Sequence, residues 1–436
     1  MGRQENNPDT SDVLVVGGGP AGMFAAAAAV ISGAKVTLLE KNERLGRKMS
    51  ITGGGRGNLT NTASLNDFIN NVPGNGRYLF SALSRFSSAD CRKFLKELGV
   101  PTKEEECGRV FPVNEQAGKV VDALEEYLTV SGVRLIYLVR AAELLLANRR
   151  CQGVIAAGRR IFAGKTAVIA TGGASYPQTG STGDGYALAR QAGHQVTPRH
   201  PGLVPLCLAE QHLCRQLQGL SITNPLLTLT TAEGKTIAIE RGDVVFTHFG
   251  ISGPAALRLS RVVSKQKTAA GVCDLCLLMD VLPEMSEESL ADLLLSMASE
   301  QPQKAIINII KQLLPGRLAA ICARMLQVSE HQKSGETSKG AWREAARLFK
   351  NLPFTITGTR PLAEAMVTAG GVSVRELDPR TMASRLVDGL YFAGEVIDVD
   401  AYTGGFNMQI AFSTGWVAGL SAAEKAGFPA ATYKQE

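Results

Sequence analysis

Residues 12–40 read DVLVVGGGPAGMFAAAAAVISGAKVTLLE, and this stretch decides the fold. The run 12–16 is short, apolar and rich in valine, the composition of a buried strand. It passes directly into Gly17-Gly18-Gly19-Pro20-Ala21-Gly22, which opens an alanine-rich helix reaching about Ser32. Gly33 ends that helix, and 35–39 (KVTLL) is a second strand closing on Glu40. Strand, glycine turn, helix and strand together make one βαβ unit. Gly17 permits the tight turn, Gly19 lets backbone approach a pyrophosphate, and Gly22 allows close packing of helix on strand. Pro20 and Ala21 stand in the first helical turn, whose free N–H groups and positive dipole end attract such an anion. Glu40, followed by Lys41, lies where an acid accepts hydrogen bonds from the ribose hydroxyls of an adenosine. An acid rather than an arginine disfavours a 2′-phosphate, and so NADP, at this place. A lone glycine pattern is weak, but here strand, helix and acid are in register.

Outward from this unit, the texture changes twice. Gly-rich 46–61 interrupts the pattern, and helices are expected near 78–98 and 116–131. Extended segments at 132–146, 153–157 and 159–163 suggest a β-meander, and 166–170 (TAVIA) is another buried strand ending in Thr171-Gly172-Gly173. From about 200 to 279 short strands predominate, then amphipathic helices are expected at 287–299, 305–314, 318–328 and 341–350. A strand at 389–393 leads to Gly394-Glu395, and 404–419 reads as a closing helix.

Length and composition set the bounds. A chain of 436 residues with 45% hydrophobic and 20% charged residues can bury a large interior, in roughly three domains or subdomains. The net charge of +6 suits an anionic small ligand as well as nucleic acid and decides little between them, although the missing Lys/Arg stripe makes nucleic acid the less expected partner. The polar start and the short apolar runs suggest neither a signal peptide nor a membrane span. The eight cysteines have no framework spacing, so a reduced, soluble, cytoplasmic protein is expected.

The remaining motifs carry a specific resemblance. Gly46-Arg47-Lys48 with Thr52-Gly53-Gly54-Gly55-Arg56-Gly57-Asn58-Leu59-Thr60-Asn61 resembles the YhiN/BaiN-like NAD(P)/FAD-dependent oxidoreductase family, to which aminoacetone oxidase-like enzymes are related. Residues 171–177 (TGGASYP), 246–254 (FTHFGISGP), 394–400 (GEVIDVD) and 403–409 (TGGFNMQ) match as well, so the likeness runs from Asp12 to about Gly419. It implies an α/β fold: a Rossmann-type, glutathione-reductase-like FAD domain made of 1–195 and 355–436. A β-barrel-like insert (196–282) and a helical insert (283–354) interrupt it. The cofactor implied is FAD. Thr52, Gly54, Gly55 and Asn58 would lie along the ribityl chain and flavin ring, where successive amides form an anion-accepting nest. Arg47, Lys48 and Arg56 would offset pyrophosphate charge or polarise the flavin; the alternative is a solvated basic face. Thr171, Gly172 and Gly173 belong to the same set, and Ala141 would touch adenine through its backbone. Glu395, after Gly394, would meet the ribityl hydroxyls, and the helix opened by Gly405, Phe406, Asn407, Met408 and Gln409 would stabilise negative charge on the reduced ring. One position departs from the family: Gly57 stands where relatives usually carry cysteine, which puts any thiol mechanism there in doubt.

Other motifs are set aside. Cys273-Asp274-Leu275-Cys276 lies in a strand-like run, where residues three apart face opposite ways, so a disulfide pair is not expected. The five histidines show no metal spacing, and no metal is expected. His248 is at best a substrate contact, Ser252 a helix-capping residue, and Tyr176 and Tyr402 packing aromatics. No second glycine fingerprint follows a strand, so an NAD(P)H donor would have to dock transiently over the flavin. The leading expectation is hydride transfer between flavin N5 and a small organic substrate. The alternatives are a flavin-dependent RNA-modifying enzyme and a non-catalytic flavin sensor.

Overall fold

The computed structural model describes residues 9–270 and 275–429. The chain forms two compact units, one running up to His200 and resuming at Leu362, the other spanning Pro201–Pro361.

The first unit is built on a parallel sheet. Its strands are β1 (Asp9–Val16), β2 (Val36–Leu39), β3 (Arg134–Ile136) and β6 (Ile161–Ile169), in the order β3-β2-β1-β6. The antiparallel strands β4 (Ala141–Ala147) and β5 (Arg150–Ala156) extend the sheet along the first half of β6. The second half of β6 pairs in parallel with β7 (Leu390–Phe392), almost at the other end of the chain. Valine and leucine fill β1 and β2 on both faces because helices cover both, and Val13–Val16 are buried accordingly. The register places Val16 opposite Leu39 and Ile169, and Ile169 opposite Phe392. Four parallel strands therefore stop at one level, and the residues after them, Gly17, Glu40, Ala170 and Ala393, share one edge.

Two helices make the closest packing in this unit. Helix α1 (Pro20–Ile31) lies on α3 (Phe406–Lys425), with α2 (Ala117–Val130) elsewhere around the sheet. A Cβ at Gly415 would stand 2.2 Å from the Ala21 carbonyl oxygen, and one at Gly419 would stand 2.1 Å from that of Ala25. The alanines of α1 and the glycines of α3, four apart on one face, therefore let the backbones touch. Beside this contact, Phe24 stacks on Phe412 at 4.2 Å and Phe86 on Trp416 at 4.4 Å. Expected as one helix, 78–98 forms a 3₁₀ turn, Gly76–Leu79, and two helices, Phe80–Arg85 and Ser88–Glu97. The break is at Phe86, and a Ser87–Asp90 capping box starts the new helix.

The second unit has its own core. Eight strands, from Leu206–Leu208 to Leu352–Thr359, make one sheet whose pairings are antiparallel. Helices Glu287–Glu300, Ile306–Ile310, Gly316–Met325 and Lys339–Lys350 follow. Trp342 and Phe349 from these helices share one buried cluster with Leu277, Met279 and Phe354 from the sheet. Cys276 lies in the strand Leu275–Asp280, whereas Cys273 lies outside the described residues. Among the described residues no helix is long and apolar enough to cross a membrane, and no group of acid, histidine and cysteine residues is arranged to hold a metal.

Candidate functional site

The shared strand edge of the first unit is where open α/β sheets bind ligands. Gly17 has φ +106°, and a Cβ there would lie 2.5 Å from the Ala170 carbonyl oxygen. A Cβ at Gly22 would lie 1.8 Å from the Gly17 oxygen, so the turn and the helix start exclude any side chain at either position. In front of Gly19, by contrast, no atom lies within 4 Å of where a Cβ would be. Pro20 is the first residue of α1, and Gly19 caps the helix without a side-chain hydrogen bond. The Met23 amide is the first to reach back, to the Gly19 oxygen, leaving the amides of Ala21 and Gly22 without helical acceptors. The same pattern recurs at α3, where Gly405 caps without a side chain and the Gln409 amide closes on it.

Glu40 holds the turn from the adjacent strand. Its Oε2 accepts from the Gly18 amide at 2.7 Å, and its Oε1 accepts from the Asn42 amide at 2.8 Å and from Asn42 Nδ2 at 2.6 Å. The carboxylate is 7% exposed and retains lone pairs for further donors. Arg47 Nη1 donates to Asn42 Oδ1 at 3.0 Å. Lys41 turns to the other side, donating to Thr182 and pairing with Asp184 at 2.6 Å. Ala141 opens β4 and is buried; two residues before it, the Val139 amide donates to the Glu40 carbonyl at 3.0 Å.

The other loops converge on the same edge. A Cβ at Gly17 would be 2.9 Å from Thr171 Cα, and one at Gly394 would be 2.7 Å from Ala21 Cβ. Gly173 faces Glu395, whose Oε1 lies 2.7 Å from where a Cβ would stand. Glu395 accepts from Lys48 Nζ at 2.8 Å, from Ser175 Oγ at 3.0 Å and from the Thr368 amide at 2.7 Å. Burial alone would raise its pKa, but the Lys48 charge and these hydrogen bonds hold the carboxyl below its ordinary range. In the segment Thr52–Asn58, Gly53, Gly54 and Gly55 are all at positive φ, with open space beside Gly54 and Gly55. Thr52 Oγ1 donates to the Met49 carbonyl. Asn58 points its Oδ1 at Gly405, 2.9 Å from a Cβ position there, and Asn61 Nδ2 donates to the Gly404 carbonyl at 2.9 Å.

Several side chains on this edge are already engaged. Arg56 lies over the Phe111 ring at 4.4 Å and donates to Glu105 and, at 2.8 and 2.9 Å, to Glu115. Hydrogen bonds from Arg56 and then Lys103 lower the Glu115 pKa to about 2. Phe406 packs edge-on against Phe68, Asn407 bonds the backbone of Ala401 and Tyr402, and Met408 packs against the core. Gln409 is fully buried, accepting from Thr60 and donating to Phe86 O and Ser413. The Phe406 and Gln409 side chains are buried, so at these two positions only the backbone is free to meet a ligand at the edge.

Three buried polar atoms here, Asn58 Oδ1, Thr171 Oγ1 and Ser181 Oγ, have no hydrogen-bond partner among the described residues. Buried polar groups are normally paired, so these atoms, with the open cradles at Gly19, Gly54 and Gly55, fit a polar dinucleotide. Ser181 escaped the sequence reading; the only signal was the polar, glycine-punctuated run 180–185 before a helix.

A family model for the HI0933-like protein Rossmann domain matches residues 11–421. The chain belongs to the HI0933-like Rossmann family. It is an FAD-binding flavoprotein and an oxidoreductase, as the YhiN/BaiN-like resemblance implied. It is 31% identical over 414 residues to the 3-dehydro-bile acid delta(4,6)-reductase of Clostridium scindens, covering 94% of this chain and 98% of that one. It is also 31% identical over 417 residues to the ribosomal RNA dihydrouridine synthase of Escherichia coli, covering 93% and 96%. Among solved structures, the 3-ketosteroid-delta4-(5alpha)-dehydrogenase of Rhodococcus jostii matches with a TM-score of 0.52 at 16% identity, over 96% of this chain and 98% of that chain. That likeness is one of fold.

Proposed function

We propose that this flavoprotein reduces a carbon–carbon double bond conjugated to a carbonyl in a small organic substrate. The carrying observation is the convergence of the Gly17–Gly22 turn, the Thr52–Asn58 segment, Gly173 and Gly394 on one strand edge, with Glu40 beside the turn. Two relatives support the reaction class. A delta(4,6) reduction of a 3-dehydro bile acid and the formation of dihydrouridine both saturate a double bond conjugated to a carbonyl.

Bound FAD supplies hydride chemistry at N5. The discontinuous stretch 1–195 and 355–436 holds it. Backbone amides of Gly19, Ala21 and Gly22 would receive the pyrophosphate, with Arg47 adding positive charge nearby, and Glu40 would take the ribose hydroxyls while Ala141 would back the adenine. Glu395, kept ionised by Lys48, accepts from the ribityl hydroxyls, as do Thr171 and its neighbours Gly172 and Gly173. Thr52, Gly54, Gly55 and Asn58 would lie along the ring, with Arg56 fixing that loop through Glu105 and Glu115, and the amides of 405–409 would stabilise negative charge on the reduced ring. Saturation of such a bond would need hydride at the carbon β to the carbonyl and a proton at the α carbon, and NAD(P)H docking transiently would supply the two electrons. The Gly57 position carries no side chain to deliver that proton, so it comes from another group or from water.

A second reading, reduction of uridine within RNA, rests on the name of the E. coli relative. One experiment separates them. The enzyme, reduced anaerobically, is offered steroid-type enones and, separately, ribosomal RNA, while the flavin's visible absorbance is followed. Reoxidation by enones alone supports the proposal, and reoxidation by RNA alone replaces it. No reoxidation by either removes both.

A further inference from the structure

The residues 180–185, Gly-Ser-Thr-Gly-Asp-Gly, form a turn and the start of a helix beside the glycine turn of β1. Their outer polar groups are engaged within the first unit. Lys41 donates to Thr182 and pairs with Asp184 at 2.6 Å, and Arg140 approaches the other Asp184 oxygen at 3.5 Å. Gly180 packs on Asn42, whose Nδ2 lies 2.4 Å from where a Cβ would stand. Glu40, Asn42, Lys41 and Asp184 thus fix this turn against the end of β2. Inside it, Ser181 is different. It is only 6% exposed, its Oγ has no partner among the described residues, and it faces Gly172 at 3.0 Å from a Cβ position. Gly172, at φ +72°, directly follows Thr171, whose Cα borders Gly17.

We infer that the Ser181 hydroxyl is a ligand of the bound dinucleotide, donating a hydrogen bond to an oxygen of FAD in the groove between Gly172 and the Gly17–Gly22 turn. A buried hydroxyl without an acceptor destabilises the protein that carries it, and the chain keeps this one facing the backbone of Gly172. An anionic oxygen is the acceptor that uses such a donor best. Lys41 and Asp184 are then positioning residues that aim the turn. The inference rests on FAD occupying this edge.

The ligand role and a packing role move two measurements in opposite ways. Deflavinated parent, Ser181→Ala and Ser181→Thr are titrated with FAD, and their thermal melting is recorded without FAD. Loss of a charge-assisted donor raises the dissociation constant of Ser181→Ala about 10- to 100-fold, while its cofactor-free melting temperature stays level or rises, because an unsatisfied group has gone. Ser181→Thr keeps the hydroxyl and stays within about tenfold of the parent. The inference is overturned if Ser181→Ala binds FAD as the parent does. A fall in cofactor-free melting would also overturn it, by showing that the hydroxyl serves the protein itself. A parent that takes up no FAD would remove the cofactor reading along with it.

Discussion

Replacing Glu40 separates two roles that one carboxylate combines. In the free protein its oxygens receive three N–H groups: Gly18 at 2.7 Å, and the Asn42 amide and side chain at 2.8 and 2.6 Å. Asn42 is partly exposed and can turn to water, but the Gly18 bond is buried and cannot. Glu40→Ala therefore loses one fully counted charge-assisted bond, about 1.5–3 kcal/mol of stability without cofactor. With FAD, the ribose hydroxyls lose the same acceptor, a further 1.5–3 kcal/mol or so, equivalent to about 10- to 150-fold in dissociation constant. Glu40→Gln keeps one oxygen and sets its new NH₂ group against the donors, so it lies between parent and alanine in both respects. Denaturant unfolding of the deflavinated proteins measures the first effect and FAD titration the second. If Glu40→Ala loses stability but holds FAD as tightly as the parent, the carboxylate only buttresses the glycine turn and the ribose lies elsewhere.

Three further outcomes follow from the geometry. Gly22→Ala would put a methyl group 1.8 Å from the Gly17 oxygen, so it should lower stability by more than about 3 kcal/mol and yield protein without flavin, read from the absorbance of the purified product. A chain ending before Pro353 lacks β7 and α3, and it should hold no stoichiometric FAD although its glycine turn is intact; retention in gel filtration would refute this. Burial lowers the His194 pKa below its ordinary 6.5, against the opposing pull of Glu376. The unfolded chain then binds the proton more readily, so this site's contribution is present above pH 6.5 and is lost as pH falls toward the folded value. Melting temperature should decline on acidification below that point, and His194→Gln should flatten the decline.

What the sequence disclosed followed from how local each constraint is. The glycine turn, its strands and Glu40 are legible because steric demands within about 30 residues dictate them. The closing helix was placed correctly for a similar reason, although it runs on to Lys425 because burial continues as far as Ala423 and no cap signal stops it earlier. Charged residues were harder to read. Arg56 carries the look of a phosphate ligand, yet its partners Glu105 and Glu115 lie far along the chain and meet it only through a small sheet. Gln409 has the same character: its partners Thr60 and Phe86 come from the other end of the sequence. Ser181 was invisible because lacking a partner is a property of three-dimensional surroundings.

The contact of Gly415 and Gly419 with the backbone of α1 also sets a timetable for synthesis. Helix α1, made almost wholly of residues destined for burial, is synthesised well ahead of its covering surface, which lies nearly 400 residues later in the chain. The central strand β6 likewise waits for β7 to complete the same sheet. At ordinary translation rates that interval is on the order of tens of seconds, during which the alanine-rich helix has no native partner. The contiguous stretch 201–361, by contrast, is complete before the ends of the chain can meet. The cofactor edge, whose loops come from sequence positions nearly 400 residues apart, can therefore form only after β7 and α3 have left the ribosome, and a nascent chain arrested before them is a flavoprotein without a place for flavin.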